Sequence, residues 1–171
     1  MNIILGIDPG SRITGYGVIR SDGQRHSYIA SGTVVLREEA LAQRLVKIFT
    51  AINQIILQYQ PQQAAIEQVF MARNANSALK LGQARGAALV ALAQHIPVAE
   101  YAARSIKQAV VGYGAADKEQ IQHMVKLLLN LGQAPPADAA DALAVAICHA
   151  QTQNTVAIMQ RLQIKERGIL A

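Results

Sequence analysis

The chain has 171 residues, 51% of apolar types and 16% charged, which suits one domain with a real core and excludes a disordered chain or a coiled coil. Sixteen Lys and Arg against eleven Asp and Glu leave a formal charge of +5, with an isoelectric point near 9.6 and a mean hydropathy of +0.18. No stretch approaches the roughly 18 uninterrupted apolar residues of a membrane helix, and the single cysteine, Cys148, excludes an internal disulfide or a multi-cysteine zinc site.

Residues 2–8, NIILGID, form a short apolar run closed by an acid and then Pro9-Gly10, the pattern of a buried strand stopped by a turn. Residues 14–20 alternate in a β-rich segment, Ser21-Asp22-Gly23 is a hairpin signal, and residues 25–36 supply a third strand with a kink expected at Gly32. Three strands joined by tight turns predict an antiparallel meander. From Leu41 to Ile56 apolar residues recur at spacings of three and four, predicting an amphipathic helix that Pro61 breaks. Residues 63–69 read as a fourth strand, 76–95 as a helix loosened by Gly82 and Gly86, and 97–102 as a fifth strand. Helices are expected near 103–111, 118–131 and 137–151, the first two separated by the glycine-rich loop VVGYGAAD. Strand–helix–strand crossovers make parallel neighbours with helices covering the sheet. The expected fold is therefore α/β: a mixed five-stranded sheet, three antiparallel strands then two parallel, its first strand central and helices on both faces. Residues 1–151 are read as one domain. The polar stretch 152–171, with Arg161, Lys165 and Arg167, is read as a loosely ordered C-terminal tail. The start shows neither a basic leader nor a small-residue cleavage site, so a cytoplasmic protein with no membrane partner is expected.

Charge is uneven. Between Phe70 and Lys126 seven cations (Arg73, Lys80, Arg85, Arg104, Lys107, Lys118 and Lys126) face three acids (Glu100, Asp117 and Glu119), which suits an anionic polymer as partner. Four acids stand in apolar company. Asp8 closes IILGI, Glu67 interrupts AAI and QVF on a second strand, and Asp138 and Asp141 lie in the very apolar segment PPADAADALAVAI. Removing a carboxylate from water costs several kcal/mol unless it is paired, and these segments hold few cations. A divalent metal resolves the conflict, because Mg²⁺ takes oxygen ligands and uses a few carboxylates together with substrate phosphates. Asp8 and Glu67 sit at or near the carboxyl ends of neighbouring strands, while Asp138 and Asp141, three apart, share one side of a helix. Two ions about 4 Å apart suit in-line attack on a phosphodiester.

Each acid has another reading. Asp8 before Pro9-Gly10 suits a turn residue bonding its own backbone; Asp138 suits a helix N-cap with Asp141 completing a capping-box-like pair; Glu67 suits an exposed site on an edge strand. GSRITGYG spaces Gly10 and Gly15 like a phosphate-binding loop. It puts Tyr16 where that loop needs Lys, so its glycines are assigned to a turn and to close backbone packing. His26, His95, His123 and His149 show no metal spacing and are read as surface or satisfied polar residues; Cys148 is read as inert packing.

IILGIDPGSRITGYGVI, AAIEQVFMARNANSALKLGQARGAA, YAARSIKQAVVGYGAADKEQIQHMV and ADAADALAVAI resemble, in order, four sequence blocks of the RuvC family of bacterial Holliday-junction resolvases, over most of residues 3–147. The resemblance implies a ribonuclease-H-like fold and Mg²⁺-dependent cutting of four-way DNA junctions by paired nicks in strands of like polarity, leaving 5′-phosphate and 3′-hydroxyl ends. It implies Asp8, Glu67, Asp138 and Asp141 as the catalytic, metal-holding quartet for two Mg²⁺ ions, with Mn²⁺ as an alternative. It also implies Lys107 and Lys118 as DNA contacts and Phe70 as the ring that stacks on an unpaired base; Arg73, Lys80 and Arg85 are added to the DNA-binding set from the charge pattern. A homodimer follows from the two-fold junction, with the 76–95 helix as candidate interface, and the resemblance implies the branch-migration proteins RuvA and RuvB as partners. The competing readings are a non-catalytic junction-binding module, a ribonuclease-H-like nuclease acting on RNA, and an actin-like phosphotransferase, the last needing two such domains.

Overall fold

Turn chemistry folds the first third of the chain back on itself. In the computed structural model, which describes residues 1–37, 40–69 and 74–169, β1 (Asn2–Asp8), β2 (Ile13–Ser21) and β3 (His26–Val35) form an antiparallel meander. In the β2–β3 turn, Asp22 Oδ1 accepts from the Gln24 and Arg25 amides at 3.0 and 2.8 Å, and Gly23 sits at φ +94°, a left-handed conformation that glycine adopts at least cost. The kink expected at Gly32 is absent there. The register instead slips between Val18 and Ile19 of β2, opposite Ala30 and Tyr28, so Ile29 is the extra residue of a bulge. Gly32 is needed for a different reason: a Cβ on it would come within 2.9 Å of the Tyr16 ring.

Helical crossovers then add parallel strands. α1 (Leu41–Tyr59) buries Ile48, Ile52, Ile55 and Ile56 and ends at Gln60, whose left-handed backbone precedes Pro61. It leads to β4 (Gln63–Gln68), parallel to β1. α2 (Ala75–Ala93), capped by the Asn74 side chain accepting from the Asn76 and Ser77 amides, leads to β5 (Val98–Ala102), parallel to β4. The sheet order is β3-β2-β1-β4-β5, with β1 in the middle as expected. α3 (Ala103–Val111), α4 (Lys118–Leu128) and α5 (Ala137–Ile169) follow. α5 runs well past the end expected at residue 151, because polarity alone does not stop a helix and this stretch lacks proline and has glycine only at Gly168.

Two apolar clusters flank the sheet. Leu5, Ile7, Val18, Ala64 and Ile66 pack with α1 and α2. Ile4, Ile19 and Ala65 pack with α3, α4 and α5. This alternation is the two-residue period of a strand, and it assigns Asp8, in step with Ile4, and Glu67, in step with Ala65, to the α5 side. Among the described residues no helix is long and apolar enough to cross a membrane.

Candidate active site

The site begins with a parallel register. Ile7 of β1 stands opposite Ile66 of β4, so the next pair along is Asp8 and Glu67, side by side at the carboxyl ends of neighbouring strands and facing the same helix. β4 lies between β1 and β5, which removes the edge-strand reading of Glu67. Carboxyl ends of parallel strands are where open α/β sheets place their ligands.

Glycines bring α5 to these two acids. A Cβ on Gly6 would stand 2.2 Å from the Ala142 carbonyl oxygen, one on Gly15 2.0 Å from that of Asp138, and one on Gly17 2.7 Å from the Leu143 nitrogen. Gly6 pairs with Gly17 and Asp8 with Gly15, so the helix backbone rests directly on a patch of sheet without side chains. Ala139, Ala142 and Ala146 are buried and keep the helix side of the contact equally thin. The first turn of α5, with Asp138, is thereby set beside Asp8, and Asp141 follows one turn on. The amide of Ala140 bonds the Pro136 carbonyl and the helix starts at Ala137, so Asp138 lies inside the first turn and is not the N-cap residue.

A cleft of about 320 Å³ collects Asp8, Glu67, Asp141, Lys107, Asp117 and Lys118, walled by Ala103, Ile106, Ile121 and Ala144. Asp138 is not among its lining residues, but its charge acts on both Asp8 and Asp141. Burial, then the charges of Glu67, Asp141 and Asp138, push the Asp8 carboxyl up to about 8, against a smaller opposing pull from Lys118. Glu67 is raised by burial and by Asp141, while a hydrogen bond with Asp8 opposes the shift. Asp141 is also raised by burial, opposed chiefly by Lys118, whose Nζ lies 3.6 Å from Asp141 Oδ2. Like charges held together away from water are the common cause.

The two lysines enter from α3 and α4. Lys107 Nζ donates to the Ala116 carbonyl at 2.7 Å. Lys118 opens α4 directly after Asp117, whose carboxylate accepts from the Gln120 amide while the Gln120 side chain accepts from the Asp117 amide; this capping box sets where the lysine emerges. The Lys118 side chain is 73% exposed, and so open an ion pair exchanges partners at little cost.

Among the described residues, no group of three or more His, Cys, Asp or Glu side chains is already arranged to hold a metal ion. The donor chemistry nevertheless fits a hard divalent cation: every candidate ligand is a carboxylate oxygen, three of these groups resist ionisation when crowded, and among the described residues the cations in the cleft are Lys107 and Lys118. Of the remaining expected residues, Lys80 is exposed on α2, away from the cleft, and Phe70 and Arg73 lie outside the described residues. Arg85, expected among the DNA-binding residues, is engaged within the protein. Its Nε donates to the Glu67 carbonyl at 3.0 Å and its Nη2 pairs with Glu100. His149 is satisfied between Tyr101 and Gln63, and burial pushes the Cys148 thiol up to about 11, as befits inert packing. Sequence reading missed Gly6, and it assigned Gly17 to close backbone packing without the helix that it meets. Their signal was present in IILGID and TGYG, where glycines recur on one face of two adjacent strands.

The family model described as crossover junction endodeoxyribonuclease RuvC matches residues 4–149. The crossover junction endodeoxyribonuclease RuvC of Tolumonas auensis is 62% identical over 157 residues, covering 91% of each chain. That of Vibrio vulnificus is 59% identical over 170 residues, covering 98% of each. Among solved structures, Thermus thermophilus RuvC in complex with Holliday junction substrate superposes with a TM-score of 0.84 at 33% identity, covering 91% of this chain and 96% of that one. The yeast mitochondrial Holliday junction resolvase shares the fold at 13% identity, with a TM-score of 0.62 over 89% of this chain and 81% of its own.

Proposed function

This chain belongs to the RuvC family of crossover junction endodeoxyribonucleases, and on that footing we propose how its cleft resolves a Holliday junction. The protein is a structure-specific DNA endonuclease, and its substrate is the four-way junction, the DNA bound in the similar Thermus thermophilus structure. Asp8, Glu67, Asp138 and Asp141 are its catalytic carboxylates and would hold two Mg²⁺ ions, with Mn²⁺ as the alternative ion. The observation that carries this reading is the convergence of Asp8, Glu67 and Asp141, from three elements remote in sequence, in one cleft with two lysines. When bound, such ions supply Lewis acidity, easing deprotonation of the attacking water and neutralising charge on the leaving 3′ oxygen.

The side chains prepare that chemistry. Asp8 keeps its proton to about pH 8, a proton that a metal ion held there would displace. Lys118 exchanges Asp141 for a DNA phosphate, which leaves Asp141 with its charge uncompensated; arrival of DNA thereby makes the cleft more anionic and more receptive to cations. Lys107 serves a second phosphate, with Arg73 and Lys80 extending the basic track, and Phe70 stacks on an unpaired base near the crossover, an interaction of about 1–3 kcal/mol per base.

Two strands of like polarity are nicked, leaving 5′-phosphate and 3′-hydroxyl ends. The described residues present one cleft of gathered carboxylates, so a C2 homodimer supplies the second; Leu79 and Val90, exposed on α2, offer apolar surface for its isologous contact. The RuvA and RuvB branch-migration proteins are the partners in the cell, and the cytoplasm is the compartment. Incubating a fixed synthetic junction and a linear duplex of the same sequence, with and without Mg²⁺, tests the reading. Paired nicks are expected in the junction with Mg²⁺ alone; equal cutting of the duplex, or cutting in EDTA, would sink it.

A further inference from the structure

Arg85 holds the strand end that carries Glu67, and it does so from behind the sheet. The guanidinium rises from α2; its Nε donates to the Glu67 carbonyl at 3.0 Å and its Nη2 pairs with the Glu100 carboxylate. Glu100 stands opposite Ile66 in the β4–β5 ladder, and Ile66 faces the α1 and α2 side, so carbonyl and carboxylate are presented together on neighbouring strands to one planar fork. Arginine engages such a pair with fixed geometry, whereas the single ammonium of lysine cannot reproduce it. The Arg85 side chain is 19% exposed, and both its partners are protein groups.

The position matters because β4 ends at Gln68, one residue beyond Glu67. A strand end held by few bonds is where a side chain loses its aim. Here the carbonyl at that end is bound from the α2 side, and because successive residues point to opposite faces, fixing the Glu67 peptide fixes the direction in which its carboxylate enters the cleft. We propose that Arg85, anchored by Glu100, is a positioning residue for Glu67 and not a DNA ligand, resting on the reading of the cleft as a divalent-metal site.

Three variants test it: Arg85→Gln, Arg85→Lys and Glu100→Gln. Each is compared with the unaltered chain by Mn²⁺ binding to DNA-free protein (electron paramagnetic resonance), by junction affinity over a salt series in EDTA, and by single-turnover cleavage over a Mg²⁺ series. Arg85→Gln is expected to weaken Mn²⁺ binding and to raise the half-saturating Mg²⁺ about tenfold or more, the usual effect of removing a partner that orients a ligand, with junction affinity and its salt slope unchanged. Arg85→Lys does not rescue. Glu100→Gln shifts both metal readouts the same way by less, and it decides the matter should thermal melting show that the Arg85 variants do not fold. Weakened junction binding with a salt slope reduced by about one and undiminished Mn²⁺ binding would make Arg85 a phosphate ligand and overturn the proposal; so would full Mn²⁺ binding in Arg85→Lys. An unaltered chain that neither binds Mn²⁺ nor cuts removes the metal-site reading and this proposal with it. An unaltered chain that does both, beside an Arg85→Gln variant with undiminished Mn²⁺ binding, removes the proposal alone.

Discussion

The two faces of the sheet are built on opposite principles. Behind it, Leu5, Ile7, Val18 and Ile66 meet Ile48, Ile52 and Leu92 in a layer of large aliphatic side chains. In front, around β1 and β2, Gly6, Gly15 and Gly17 meet the backbone of α5 directly. The rear face stabilises by buried area, which tolerates small shifts. The front face buries aliphatic side chains too, but at β1 and β2 it adds close approach, which does not, and in exchange it sets two helical carboxylates beside two strand-borne ones. The lesson is that a site assembled from distant segments needs a contact that fixes distance as well as one that excludes water.

The largest expected effect belongs to the front. Asp8→Asn should abolish Mg²⁺-dependent junction cutting, by about 10³-fold or more, while junction binding in a gel-shift assay is retained or strengthened because the lysines remain. Cutting at the unaltered rate would break the comparison at its centre. Next comes the contact itself. Gly15→Ala places a methyl group 2.0 Å from the Asp138 oxygen; a stability loss of about 1–3 kcal/mol is expected from overpacking, with a fall in single-turnover cleavage that outlasts correction for unfolded protein. Ile52→Ala on the rear should cost about 2–5 kcal/mol in a denaturant titration yet leave the cleavage rate of the folded fraction unchanged. Equal catalytic damage from both would show that the faces do not differ in kind.

A subtler test uses pH. Folded Asp8 keeps its proton up to about 8, against 3.8 for an ordinary aspartate. Between those values the folded state binds more protons than the unfolded one, so stability falls as pH rises through the window and the full penalty is present above it. Asp8→Asn should therefore stabilise the metal-free protein on the order of a few kcal/mol at pH 8.5 and by nothing measurable below pH 3.5, read from thermal melts at both values. The smallest effect is expected at the rim: Lys118→Gln should weaken junction binding and lower the salt slope by about one.

Much of this was legible beforehand because the signals are local. Strand and helix periods, the Asp22-Gly23 turn and the Pro61 break depend on neighbours in the chain, and the four acids declared themselves by standing in apolar segments. What misled was also local. Gly32 read as a kink when it serves the Tyr16 ring, and the polar stretch after residue 151 read as the end of a helix that continues to Ile169. The partners of Arg85 were not legible at all, since charge in a sequence carries no record of which group lies beside it.

The sequence by itself determined the order of elements, the sheet in which β1 is central and which carboxylates stand in apolar segments, because composition and period are properties of short segments. Only the tertiary structure decided that Asp8, Glu67 and Asp141 share one cleft, that Lys118 already pairs with Asp141, and that Arg85 turns inward to Glu67 and Glu100. The physical reason is distance: burial, mutual repulsion and hydrogen bonding act over a few ångströms between residues that lie tens of positions apart, and only the packing of α5 on three glycines brings those separations within range.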